Sequence, residues 1–268
     1  MIFATKPAIV GHRGFGAGER AGYRENTLES YLAAVAHGLS WIELDVRRSL
    51  DGQLVIWHDP VTPDGELIAG LTAGELAGRG ILRLEDVMAA LPPGVALDID
   101  VKTIIEDALD PPARRTGALV AEALGRYAGQ RQLFVSSFDP SVLIFLKERK
   151  DSLPGVPLGL ITWLNFPVWH AIPAAANLGL DAVCLHTGTF GLRPKVGRPP
   201  ELTIDTVIGQ AHQAGLEVLA WSPTPEMAVR LASAGADALA VDDIPGVLAA
   251  LAGETRPEQG PRGQAGVR

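Results

Sequence analysis

Acidic side chains recur at alternate positions in two stretches that otherwise look like strands. In "WIELDVR" Glu43, Asp45 and Arg47 alternate, and in "LDIDVK" Asp98, Asp100 and Lys102 do the same. Successive residues of a strand point to opposite faces, so each triplet shares one face, and Leu44, Val46, Ile99 and Val101 take the other. On a barrel strand the apolar face must cover surrounding helices, which turns the charges inward. Several inward carboxylates cannot stay ionised and unpaired, because desolvation costs several kcal/mol per ion. Two solutions fit the spacing. One is a divalent cation, for which oxygen donors favour Mg²⁺ or Ca²⁺ over zinc. The other is an ion-pair network closed by Arg13, Arg47 and Lys102.

Two histidines stand near these acids in the order of elements. His12 and Arg13 follow a short apolar run and precede a glycine-rich loop ending in Glu25-Asn26-Thr27, and His58 ends "QLVIWH". An imidazole titrates near pH 6.5, so one histidine can accept a proton while another donates.

The elements that must position them alternate along the chain. Strands are expected at 8–11, 41–46, 95–102, 132–137, 157–162, 181–186, 216–221 and 237–241, with helices clearest at 26–37, 83–91, 116–127, 139–150, 202–214 and 225–234. That order and the length of 268 residues fit a (β/α)8 TIM barrel, which needs about 250 residues. A single domain over 1–252 is expected, and "GETRPEQGPRGQAGVR" reads as a disordered tail over 253–268. One stretch breaks the alternation. Only "RRSLDG" separates a further strand at 53–59 from the second barrel strand, too few residues for a parallel crossover. The Asp-Gly turn predicts a β-hairpin excursion that brings His58 back to the carboxyl ends of the strands, where barrels of this kind carry their chemistry.

Composition narrows the partners. Lys and Arg number 23 against 31 Asp and Glu, a net charge of −8 that argues against a nucleic-acid-binding face and for a small-molecule partner. The single Cys184 lies in an apolar run and reads as a buried small residue. The N-terminal stretch lacks the pattern of a signal peptide, and no window approaches ~18 uninterrupted apolar residues, so a cytoplasmic protein with no transmembrane segment is expected.

"GHRG" (11–14), "ENT" (25–27), "IELDV" (42–46), "DG" (51–52), "VIWHD" (55–59) and "DIDVK" (98–102) occur in this order, followed by "SSF" (136–138), Trp221 and "VDDIP" (241–245). Dispersed yet ordered, they strongly resemble the glycerophosphodiester phosphodiesterase family. The resemblance implies a barrel of the phospholipase-C-like phosphodiesterase type and metal-dependent hydrolysis of a glycerophosphodiester to glycerol 3-phosphate and an alcohol. It implies His12 and His58 as catalytic acid and base, Arg13 and Lys102 as phosphate-binding cations, and Glu43, Asp45 and Asp100 as ligands of Mg²⁺ or Ca²⁺. Trp221 is implied as a substrate-binding residue. In that family a neighbouring glycerol hydroxyl attacks first, and water then opens the cyclic phosphate. The chain departs from the pattern with Asp100 where many members carry Glu, with Tyr23-Arg24 where Pro is common, and with "SPT" (222–224) after Trp221. Related activities are a lysophospholipase D or a sphingomyelinase D-like enzyme acting on a lysophospholipid. A non-catalytic phosphoester-binding barrel is the reading from another class.

His37, His170, His186 and His212 lack matched partners and read as surface or packing residues, and Asn26-Thr27 as a helix cap. "ITWLNFPVWH" (161–170) follows the fifth barrel strand and reads either as core under a helix or as an aromatic rim for a lipid-bearing substrate.

Overall fold

The strand runs read from the sequence close on one another. The computed structural model describes residues 1–164, 166–191 and 202–254. Its strands are β1 (Ala8–Gly11), the ribbon β2 (Glu19–Arg20) and β3 (Tyr23–Arg24), β4 (Trp41–Arg48), β5 (Leu54–Ile56), β6 (Ala96–Val101), β7 (Leu133–Ser137), β8 (Leu158–Ile161), β9 (Ala182–His186), β10 (Glu217–Trp221) and β11 (Ala238–Val241). The order β1-β11-β10-β9-β8-β7-β6-β4 is parallel throughout, and β1 also pairs with β4, which closes an eight-stranded barrel. The (β/α)8 expectation holds. So does the hairpin, since β5 pairs antiparallel with β4 with Val46 opposite Ile56.

Helices α1 (Leu28–Ala36), α2 (Ala73–Ala77), α3 (Leu84–Ala90), α4 (Thr116–Gly125), α5 (Pro140–Lys147), α6 (Val168–Asn177), α7 (Ile204–Gln213), α8 (Pro225–Ser233) and α9 (Ile244–Glu254) lie between or after the strands. Hydroxyl or carboxylate caps start several of them. Thr27, Thr203 and Thr224 each accept from the backbone N–H three residues on, and Asp139 accepts from Ser141. Helices α2, α6 and α9 were not among those read from the sequence. Pro173 interrupts the pattern of α6, and Pro245-Gly246 masks the start of α9. Helix α9 runs to Glu254, two residues into the stretch read as a tail, and the rest of that stretch lies outside the described residues. None of the helices among the described residues is long and apolar enough to cross a membrane.

Strand alternation sorts the apolar residues of the eight barrel strands into two cores. Leu44, Val46, Ile99 and Val101 face outward into the layer between barrel and helices, where each fully buried side chain contributes about 1.5–3 kcal/mol. Inside the barrel, Phe3, Trp41 and Phe134 plug the amino-terminal floor together with Ala8 and Ala96. A Cβ at Gly159 would collide with the Phe134 ring, so glycine there lets that ring fill the interior. Above this plug the inner face divides. The β4 and β6 side carries carboxylates, whereas the β8 to β11 side presents Ile161, Cys184, Leu219 and Ala240.

Candidate active site

A cavity of about 700 Å³ opens at the carboxyl ends of the strands. His12, Arg13, Glu43, His58, Asp100, Lys102 and Trp221 all line it, and Asp45 belongs to the same carboxylate cluster at 1% exposure.

The cluster follows from register. Glu43 lies beside Asp98 and Asp45 beside Asp100 on the paired strands β4 and β6, so two alternating rows of acids meet across one ladder. Oxygens of Glu43, Asp45 and Asp100 come within 4.8 Å of one another. Burial raises the Glu43 carboxyl well above its usual range, and Asp45, Asp100 and Asp98 add to this. Burial also raises Asp100, although Lys102 opposes it. For Asp45 burial is outweighed by Lys102 and Arg13, which hold it below the ordinary aspartate value. Asp98 sits deeper, accepts from the Ser136 hydroxyl at 2.7 Å, and is pushed by burial up to about 8.

The stretch read as a helix cap does more than cap. Asn26 Nδ2 donates to Asp45 Oδ2 at 2.7 Å, and the fully buried Tyr31 hydroxyl donates to Asn26 Oδ1 at 3.0 Å. This chain of donors fixes which way the Asp45 carboxylate faces. Arg13 contributes its backbone N–H to Glu43 Oε2 at 2.6 Å. Arg13, Asn26 and Ser222 adopt φ of 52°, 56° and 56° without being glycine, a strained backbone of about 1–3 kcal/mol each, concentrated at this site.

Each catalytic candidate histidine has a carboxylate on Nδ1. For His12 it is Asp242 Oδ1 at 2.7 Å, and for His58 it is Asp59 Oδ1 at 2.7 Å. A carboxylate only accepts, so each Nδ1 carries the proton and Nε2 is left for chemistry. The two pairs are unequal. Asp242 also accepts from the Ala17 backbone at 2.8 Å and from the Ser222 hydroxyl, and despite burial these donors and His12 hold it well below the usual range. Gly16 is required for this, because a Cβ there would collide with the Asp242 carbonyl oxygen. The Asp59 side chain is 65% exposed.

The cations are distributed over the acids. Arg13 reaches Glu25 at 3.1 Å and, through Nε, Asp45 at 3.4 Å, and Lys102 reaches Asp100 and, at 3.1 Å, Asp45. Arg47, expected in an ion-pair network, instead donates from Nε to the His58 carbonyl at 2.9 Å and from Nη2 to the same oxygen at 2.5 Å.

Aromatic rings form the opposite wall. Phe138 stacks on Trp163 with centroids 4.2 Å apart, and Trp221 stands edge-on to Phe138. His186, read as a packing or surface residue, pairs with Trp221 in the ladder and packs edge-on against it at 4.3 Å. Burial lowers its pKa. The two readings of 161–170 divide between its residues. Trp163 is 66% exposed and lines the cavity, whereas Trp169 packs against the helix layer from α6. Asp242, Asn26 and Arg47 are the site residues that residue types alone did not assign. Barrel closure held the missing signal for Asp242, since β11 beside β1 sets Val241 against Gly11 and brings the next residues together.

These features define a (β/α)8 barrel with an acid-lined, histidine-flanked pocket at its catalytic end. The chain belongs to the glycerophosphoryl diester phosphodiesterase family, whose sequence model matches residues 12–245, and it is an enzyme of that phosphoric diester hydrolase class. A glycerophosphodiester phosphodiesterase of Caldanaerobacter subterraneus is 25% identical over 258 residues, covering 89% of this chain and 95% of that protein. The crystal structure of the Thermotoga maritima glycerophosphodiester phosphodiesterase superposes with a TM-score of 0.68 at 21% identity, over 94% of this chain and 99% of that one. An Oleispira antarctica phosphodiesterase, solved in complex with the product sn-glycerol-3-phosphate, gives 0.70 at 23% identity, over 92% and 97%.

Proposed function

We propose that this site hydrolyses glycerophosphodiesters to glycerol 3-phosphate and an alcohol, with His12 and His58 as the acid–base pair. The observation that carries the reading is the pair of imidazoles lining one cavity, each with Nδ1 taken by a carboxylate and, among the described residues, no hydrogen bond on Nε2. A phosphodiester gains concentrated negative charge as a fifth oxygen approaches phosphorus, so cations aimed at its oxygens stabilise the transition state more than the substrate. Arg13 and Lys102 supply that charge from the rim of the acidic cluster. One histidine takes the proton of the attacking glycerol hydroxyl while the other protonates the departing alkoxide. In the second step a water opens the cyclic phosphate and the two exchange roles.

The donor set fits a divalent cation. Asp100 Oδ1 is buried without a hydrogen-bond partner among the described residues, and the three carboxylates outnumber the ammonium and guanidinium groups that face them alone. Glu43, Asp45 and Asp100 would hold Mg²⁺ or Ca²⁺, which supplies Lewis-acid polarisation of phosphoryl oxygens when bound. Asn26 orients Asp45 for this role and excludes its rotation. A lysophospholipid is the second substrate class, favoured by one observation: the exposed Trp163 stacked on Phe138 at the mouth.

A panel of glycerophosphodiesters and lysophospholipids, assayed with Mg²⁺, Ca²⁺ or chelator, tests the reading. Cleavage to glycerol 3-phosphate is expected. Replacing either histidine by Ala should lower kcat by about 10²-fold or more. Wild-type turnover in both variants would sink the acid–base assignment, and binding without turnover would favour a non-catalytic barrel.

A further inference from the structure

Three cations line the cavity, and two of them are committed to carboxylates. Arg47 is different. Arg47 is 6% exposed, yet it forms no ion pair with any described carboxylate. Its protein partners are neutral carbonyl oxygens: His58, reached from both Nε and Nη2, and Thr103, reached from Nη1 at 3.4 Å. The neighbouring Arg48, on the other face of the same strand, makes the contrast. It pairs with both Asp107 and Asp110.

A guanidinium has five N–H donors, and the carbonyls use three of them. The remaining donors belong to a buried, cavity-lining cation that Asp45, Asp100 and Asp59 attract from a distance but that no described carboxylate reaches as an ion pair. Burying such a charge is costly unless a counter-anion arrives. The fork of an arginine matches phosphate oxygens two at a time, which a lysine cannot do. Position adds to this. Arg47 is the next inward residue after Asp45 on β4, and it holds the backbone of the hairpin segment that carries His58.

We propose that Arg47 is a third phosphate-binding residue, whose free N–H groups grip the phosphate of the substrate while its others seat His58. The assignment rests on the phosphodiesterase reading above. Anion capture and placement of the acid–base imidazole are then one event, because a single rigid group makes both sets of hydrogen bonds.

Binding of inorganic phosphate and of glycerol 3-phosphate, measured by calorimetry on metal-loaded protein, tests it without turnover. Arg47→Gln should weaken both by about 10- to 100-fold, and Arg47→Lys should recover part of the loss through charge alone. KM for glycerophosphocholine should rise alongside. If Arg47 only props the His58 segment, kcat falls while both dissociation constants stay at wild-type values, and the proposal is overturned. Should Arg47→Gln fail to fold, Arg47→Lys assigns the Arg47 Nε–H resonance in ¹⁵N-arginine-labelled protein. A resonance unmoved by saturating inorganic phosphate then overturns the proposal too. Wild-type protein that binds glycerol 3-phosphate but cleaves no glycerophosphodiester would refute the proposed function and leave the Arg47 assignment standing.

Discussion

His12 and Asp242 meet across the seam that closes the barrel, Nδ1 to Oδ1 at 2.7 Å, although 230 residues separate them. The contact follows from the parallel pairing of β1 with β11, in which Gly11 and Val241 are partners and the following residues both turn inward. Asp242 is held by backbone and hydroxyl donors as well, so its carboxylate cannot follow the imidazole if the ring rotates.

The two histidine–carboxylate pairs should therefore differ in their response to substitution. Asp242→Asn replaces a partly buried carboxylate that fixes both ring orientation and tautomer with a neutral amide, and kcat should fall by about 10²- to 10⁴-fold. Asp59→Asn loses an exposed partner, and a loss of less than about tenfold is expected. Steady-state kinetics on both variants, with KM compared to wild type, checks this. Equal losses would remove the distinction drawn between the pairs.

Metal binding should depend on Asn26 as well as on the three acids. Gel filtration after chelation should abolish turnover, and Mg²⁺ or Ca²⁺ should restore it. Asp100→Asn takes away the carboxylate with the unpartnered oxygen, so calorimetric metal affinity should drop by at least about tenfold. Asn26→Ala frees Asp45 to rotate and should cost about 10- to 100-fold in affinity, as loss of an outer-shell partner usually does. Unchanged metal affinity in both variants would leave the cluster as an ion-pair network only.

Which parts of this site could be read in advance follows from how local each signal is. Alternation within one strand put Glu43, Asp45 and Asp100 on inward faces, and a short Asp-Gly link fixed the antiparallel return of His58, because both depend on residues close in sequence. Asp242 required knowing which strands are neighbours and in what register. Asn26 displayed one role, capping, that its neighbour Thr27 performs, and its hydrogen bond to Asp45 spans 19 residues. Arg47 carried the right charge on the right face, but its carbonyl partners arise from how the hairpin folds back. Helix α6 stayed hidden because Trp, Pro and His blur its period, although its buried face of Val168, Ala171, Ile172 and Ala175 has helical spacing.

The two tryptophans of the 161–170 segment should separate by phenotype. Trp163 projects at the mouth and, among the described residues, stacks on Phe138, so Trp163→Ala should raise KM for lysophosphatidylcholine by about 3- to 10-fold and leave glycerophosphocholine and Tm nearly unchanged. Trp169→Ala removes a partly buried ring from the helix layer and should destabilise by about 1–3 kcal/mol with the ratio of the two kcat/KM values preserved. A ratio that Trp163→Ala does not move would reject the lipid rim.

The last expectation concerns the amino-terminal end of the barrel, remote from the cavity. Asp237 is fully buried just before β11, where it accepts from Lys6 at 2.5 Å, from the Val218 backbone at 2.6 Å and from His212 at 2.8 Å. Burial alone would raise its pKa, but Lys6, the Val218 N–H and His212 together lower it. A carboxylate depressed in the fold contributes stability that is fully present above the unfolded value near 3.8 and is lost as pH falls below it toward the folded value. In that acid window the unfolded chain binds the extra proton first. Asp237→Ala leaves the Val218 N–H unpaired in the interior, so a loss of about 1–3 kcal/mol is expected at pH 7 from urea midpoints. The gap between wild type and variant should stay level from pH 7 to about 5 and narrow on acidification below about 4, because only the wild type carries the depressed group. A gap that holds constant down to pH 3 would mean that the ionised carboxylate contributes nothing and that Asp237 acts through packing alone.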